Sequence, residues 1–103
     1  MSRAALVTEL VRHERAVTDI LRELAPYGWD CDSPLVQLLP EHIVDVLDRF
    51  LSGELSADQV DAWANAIECR EDIGYDPSSV PGKVLHELAN AALPRAHAGL
   101  KGR

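Results

Sequence analysis

Apolar residues in this chain recur at steps of three and four, and where that rhythm stops a proline or a glycine stands. Over residues 2–25, Leu6, Leu10, His13, Val17, Ile20 and Leu24 trace one stripe of a helix, widened by Val7, Val11 and Leu21. Ser2 is placed to cap its start and Pro26 to end it. Pro40 suits the first position of a second helix, whose buried face would carry Ile43, Val46, Leu47, Phe50 and Leu51 before a left-handed Gly53. The third helix has the clearest start. Ser56 and Gln59 match a capping box, Leu55 and Val60 a hydrophobic staple, and Val60, Trp63, Ala64 and Ile67 a core stripe. It should fray over residues 71–73 and stop at Gly74. A fourth helix begins near Val80 or Pro81 under Ser79, carries Val84, Leu85, Leu88 and Ala92 on its apolar face, and ends at Pro94. No segment alternates as a strand does, and residues 35–39, set between two prolines, fit either a helical turn or an extended piece. Four helices with short loops predict an all-α fold, a compact bundle. Its single domain would span residues 1–94, with a mobile basic tail over 95–103.

A chain of 103 residues, 47% hydrophobic and 26% charged, has enough apolar material for one core. It has no apolar run long enough to cross a membrane. Glu9, Arg12 and His13 interrupt the stretch where a signal peptide would need its apolar centre. Without an export signal, Cys31 and Cys69 are expected as free thiols in a reducing compartment, which places the protein in the cytoplasm.

Asp30 and Asp32 open like a calcium loop with Glu41 at the twelfth position, but Pro34 and Leu35 occupy positions that need a ligand and a glycine. None of His13, His42, His86 and His97 follows a glutamate by three residues, as a di-iron bundle requires. There is no paired-cysteine zinc motif and no glycine-rich phosphate loop. Cys31 lies between two aspartates, which disfavour a thiolate, and Cys69 lies between Glu68 and Arg70. His13, on an apolar stripe, reads as a hydrogen-bonded, partly buried histidine. The sequence therefore points away from an enzyme, a metal and a cofactor. The turn over residues 52–55 has helix-turn-helix spacing, yet its second helix would offer Asp58, Asp61, Glu68, Glu71 and Asp72 to phosphates, so nucleic acid is not an expected partner.

Charge is the remaining signal. From Asp30 to Asp76 stand twelve Asp and Glu against Arg49 and Arg70 alone, a balance of −10 in a chain whose total is −7. On the third helix Asp58, Asp61, Asn65, Glu68 and Asp72 follow helical spacing on a face turned from the Trp63/Ile67 stripe. Asp58 and Asp61 suit a helix N-terminus, whereas Glu68, Glu71 and Asp72 oppose the dipole at its end. The stripe is either a solvated face, with Arg15 or Arg22 of the first helix as candidate counter-ions, or a partner-binding face formed by Asp61, Glu68, Glu71, Asp72, Tyr75 and Asp76. Trp29 and Tyr75, in loops, are candidate aromatic anchors.

The run Leu51-Ser52-Gly53-Glu54-Leu55-Ser56, then Val60, Trp63-Ala64-Asn65, Ile67-Glu68 and Arg70-Glu71-Asp72-Ile73-Gly74-Tyr75, resembles a family of small bacterial proteins of unassigned function; His86-Glu87-Leu88-Ala89-Asn90 and Leu93 fit the same pattern. The resemblance covers residues 51–93 and implies a bacterial source and a compact helical fold. At class level alone, the chain is similar to the immunity proteins of nuclease bacteriocins, which are short, acidic, helical and intracellular. The expectation is an acidic binding protein, an immunity protein or antitoxin that occludes a basic toxin surface. The alternative is a structural module that pairs with a second copy through the wide apolar face of its first helix.

Overall fold

The structure, a computed structural model, describes residues 2–28 and 31–90. Along them run α1 (Arg3–Arg12), α2 (Val17–Leu24), one tighter helical turn (Ala25–Tyr27), β1 (Val36–Gln37), α3 (Pro40–Leu51), α4 (Ala57–Glu68), β2 (Ile73–Gly74) and α5 (Val80–Asn90). The fold is a small helical bundle, as the periodicity predicts. The tail over residues 95–103, the stop at Pro94, Ala92 and Trp29 lie outside the described residues.

The expected first helix is two helices. The chain leaves α1 through His13, a non-glycine residue at φ 51°. His13 N–H donates to the Leu10 carbonyl and Glu14 N–H to that of Glu9, the paired bonds of a Schellman ending. No glycine or proline forces this break; the surroundings do. A helix end leaves carbonyls without partners. Here Trp63 Nε1 donates to the Leu10 carbonyl at 2.8 Å and reaches that of Val11 at 3.3 Å. Arg49, from α3, donates to the carbonyls of Arg12 and His13 at 3.2 and 3.1 Å. Arg15 then ties the two halves together, bonding Glu9 and Glu23 at 2.6 Å each. Arg15 is therefore not a counter-ion for the third helix's acids, and Arg22 pairs with Asp19 instead.

The starts of the later helices match expectation. The Ser56 hydroxyl accepts from Gln59 N–H while the Gln59 side chain accepts from Ser56 N–H. Gly53 takes φ 87°, and the Ser79 hydroxyl accepts from Gly82 N–H at the head of α5. Residues 35–39 resolve as extended. Val36 and Gln37 pair in parallel with Ile73 and Gly74, a short ladder that the absence of alternation concealed.

Trp63, fully buried, is the largest side chain of the core, with Leu6, Val7, Leu10, Val11, Ile20, Leu24, Val46, Val60, Ile67 and Leu85 also inside. The apolar face of the first helical region is thus used up within the chain: Val17 is buried too, and Leu21 packs against the core. Among the described residues, little of that face is left in solvent for a second copy. Leu51 is a second correction. It was expected inside and stands 79% exposed, because α3 ends there and only Ile43 and Val46 of that helix are fully covered.

Candidate functional site: an acidic surface with its cations withdrawn

The stretch that follows α4 decides what the acidic segment presents. The helix ends at Glu68, not near Gly74. Asp72 is therefore not the last member of a helical stripe. Its carboxylate is fully buried, which removes it from any partner-binding face. Arg70 grips it in bidentate fashion, Nε to Oδ1 at 2.9 Å and Nη2 to Oδ2 at 2.9 Å. Arg3, at the start of α1, donates to Oδ2 at 3.0 Å. Burial works against the charged carboxylate, but the two guanidinium groups outweigh it and hold the carboxyl below its usual range. Arg70 also donates to the Gly28 carbonyl, and the Asp72 carbonyl receives the N–H groups of Leu35 and Val36. One ion cluster thus joins α1, the end of the 25–28 turn and the residues that lead into the β1–β2 ladder.

The other predicted residues keep their acids at the surface, each with a local neighbour. Asp61 accepts from the Asn65 amide, which also donates to the Ala89 carbonyl of α5. Glu68 Oε2 lies 2.9 Å from His86 Nδ1 on α5, so the carboxylate at the helix end meets a side chain from the next helix. Glu71 is exposed and its Oε1 accepts, at 3.4 Å, from Cys31 N–H. Asp76 accepts from the Ser78 N–H and hydroxyl, a turn-closing arrangement that lowers its carboxyl below the usual range. Tyr75 is not an exposed anchor. It packs half-buried against the core, where burial first and the charge of Glu68 next push its hydroxyl upward. Glu68 and Tyr75 share a shallow groove of about 260 Å³ with Pro77, Lys83, His86 and Glu87. The structure brings these two predicted residues together, turns Asp72 inward and leaves Glu71 against residue 31.

What remains is a surface where acids far outnumber the cations of their own stretch. Every described carboxylate from Asp32 to Asp76 except Asp72 reaches solvent. Of the two arginines in that stretch, Arg70 is buried and Arg49 is engaged with the α1 carbonyls, Asp45 and Glu54. The exposed acids on α3, Glu41, Asp45 and Asp48, lay outside the predicted site. Their signal was present in the sequence but was hidden by the attention that the third helix's longer stripe attracts. Both cysteines are free. No helix among the described residues is long and apolar enough to cross a membrane. Comparison of the chain with known protein families, curated proteins and solved structures found no match.

Proposed function

We propose that this protein is a small acidic binding module that docks on a basic protein in the cytoplasm, in the manner of an immunity protein or antitoxin that covers a cationic surface. The observation that carries the reading is the excess of surface carboxylates over residues 31–76, where Arg70 is buried against Asp72 and Arg49 reaches only Asp45 and Glu54 among the acids. A field of one sign steers an oppositely charged partner and suppresses nucleic acid and anionic lipid. Asp61, Glu68, Glu71 and Asp76 contribute to that field, and Tyr75 supplies the wall of the groove beside Glu68. Asp72 belongs to the interior. The class-level similarity to bacteriocin immunity proteins is an analogy in the same direction, and the motif around residues 63–75 carries no activity with it. Burial of that apolar face within the chain argues against self-association through the first helical region. The test is titration of the protein against the products of the genes flanking its own. The expected result is one tight, basic partner whose association rate falls steeply with salt and falls further in Glu68→Gln/Glu71→Gln. Flanking products that are all acidic, or affinity indifferent to salt and to both substitutions, would refute it.

A further inference from the structure

A charged field alone gives steering without a fixed seat for the partner. On α3 two large aliphatic side chains stand in solvent, Val44 at 56% and Leu51 at 79% exposed. They are separated by two helical turns, about 10 Å along the axis. At about 100° per residue, Glu41, Val44, Asp48 and Leu51 fall within an arc of about 80°, on the opposite side of α3 from Ile43, Val46 and Phe50. A β-branched valine at an exposed helix position costs up to about 0.7 kcal/mol of helix propensity relative to alanine. Val44 recovers little of that by burial within the chain. Asp45 lies beyond the edge of the arc and pairs with the helix's only arginine, Arg49, which also reaches the end of α1 and Glu54.

We infer that this face of α3 receives a basic amphipathic helix of a partner protein, with Val44 and Leu51 as apolar anchors and Glu41 and Asp48 as flanking carboxylates. The inference rests on the acidic-module reading and gives it a location. A helix is the occupant because the exposed pair has the spacing at which one helix lays anchors against another, whereas the two-residue strands offer no edge long enough to extend. A second copy is a poor occupant. It would bring its own Glu41 and Asp48 against these, and like charges across an interface are repulsive.

The probe is a synthetic helical peptide with two leucines seven residues apart and arginines on either side, titrated at low and at physiological salt. A peptide of the same composition in scrambled order is the control. The designed peptide should bind, and the scrambled one should bind about tenfold more weakly. Val44→Ser/Leu51→Ser should weaken the designed peptide by about tenfold at either salt. Glu41→Gln/Asp48→Asn should weaken it mainly at low salt, while Glu68→Gln/Glu71→Gln, with the same change in charge, should have a much smaller effect. All of these positions reach solvent, so folding is preserved and is checked by circular dichroism. Equal losses from the two charge variants, with the serine variant and the scrambled peptide unchanged, would overturn the α3 seat while leaving a diffuse acidic binder intact. No binding of either peptide at low salt would overturn both readings. Concentration-dependent dimers abolished by Leu51→Ser would overturn the basic occupant in favour of a second copy.

Discussion

Replacing Asp72 by asparagine tests the arrangement on which the end of α4 depends. The carboxylate is inaccessible, Arg70 has a side-chain exposure of 2%, and Arg3 has 19%. Three charge-assisted hydrogen bonds converge on two oxygens. Asparagine keeps one oxygen and sets an amide donor against a guanidinium that cannot release its proton. Arg70 is then a buried, uncompensated charge, and breaking such a pair from one side costs about 3–5 kcal/mol. Against a total stability of about 5–15 kcal/mol this is a large fraction, and the melting temperature should fall by about 15 °C or more. Arg3→Gln, which removes the most exposed partner, should cost only about 1 kcal/mol. Arg70→Met/Asp72→Leu, which removes both buried charges, should recover most of the loss. Urea denaturation followed by circular dichroism at pH 7 measures all three. The sign of the pH dependence is fixed as well. Because the folded carboxyl is held below its unfolded value of 3.8, its contribution is complete above that pH and is lost as pH falls through the folded pKa. Asp72→Asn should lack that part of the acid sensitivity. A cost below about 1 kcal/mol for Asp72→Asn would mean that the carboxylate is solvated and that the described cluster does not hold the turn.

Three further outcomes follow from other parts of the fold. His13 is buried, its Nε2 has no partner among the described residues, and burial first and Arg49 next lower its pKa from 6.5, outweighing a hydrogen bond to its own backbone and the charge of Glu54. The unfolded chain therefore takes up the proton first, and stability should decline as pH falls below about 6.5. His42 is lowered in the same direction. His13→Asn, which tolerates the left-handed backbone and cannot titrate, should flatten part of the slope between pH 7.5 and 5.5; urea midpoints that decline as steeply as in the parent would remove His13 from the account. Trp63→Phe deletes the donor to the Leu10 and Val11 carbonyls inside the core and should cost about 2–4 kcal/mol, read from the same denaturation curves; a loss under about 0.5 kcal/mol would show that those carbonyls find other partners. Gly74→Ala places a methyl group 2.5 Å from Gln37 Nε2 and 2.9 Å from Pro34 Cβ. The glutamine can swing away but the proline ring cannot, so a cost of about 1–3 kcal/mol should persist when Gln37→Ala is added, and full rescue by that change would assign the clash to the glutamine alone.

The helices were legible where local chemistry sets them. Ser56 and Gln59 cap each other whatever surrounds them, and Gly53 and Pro40 perform roles fixed by their own backbone freedom or restriction. The break at His13 was illegible because no residue near it resists a helix. The two side chains that satisfy its open carbonyls, Arg49 and Trp63, lie 36 to 53 residues away in sequence. The end of α4 was misread for a related reason. Residues two apart lie on different sides of a helix, so Arg70 and Asp72 cannot meet while the helix continues. Their ion pair forms only if the helix stops at Glu68 and the chain extends, after which Ile73 and Gly74 pair with Val36 and Gln37. The helical spacing of Asp58, Asp61, Asn65 and Glu68 was real, and adding Asp72 to it was a coincidence of number.

The same two arginines explain why the candidate site moved. A count of charges treats Arg49 and Arg70 as relief for a surface of carboxylates. The fold assigns Arg70 to a buried aspartate and divides Arg49 between the carbonyls at the end of α1 and the carboxylates of Asp45 and Glu54. Burying Arg70 with Asp72 removes one charge of each sign and leaves the outer balance as acidic as before. Arg49 meets Asp45 and Glu54 besides the backbone carbonyls, so Glu41 and Asp48 are the α3 carboxylates that it does not touch. The carboxylates of the predicted site are meanwhile the ones with close partners: Glu68 with His86, Asp76 with Ser78, Asp61 with Asn65. A carboxylate already bonded within its own chain gives up those bonds to meet a partner, and that desolvation and rearrangement subtract from affinity. Glu41 and Asp48, on the outward helix face that carries Val44 and Leu51, face a smaller cost of this kind. That difference, rather than the density of charge, favours α3 over the end of α4 as the seat of binding.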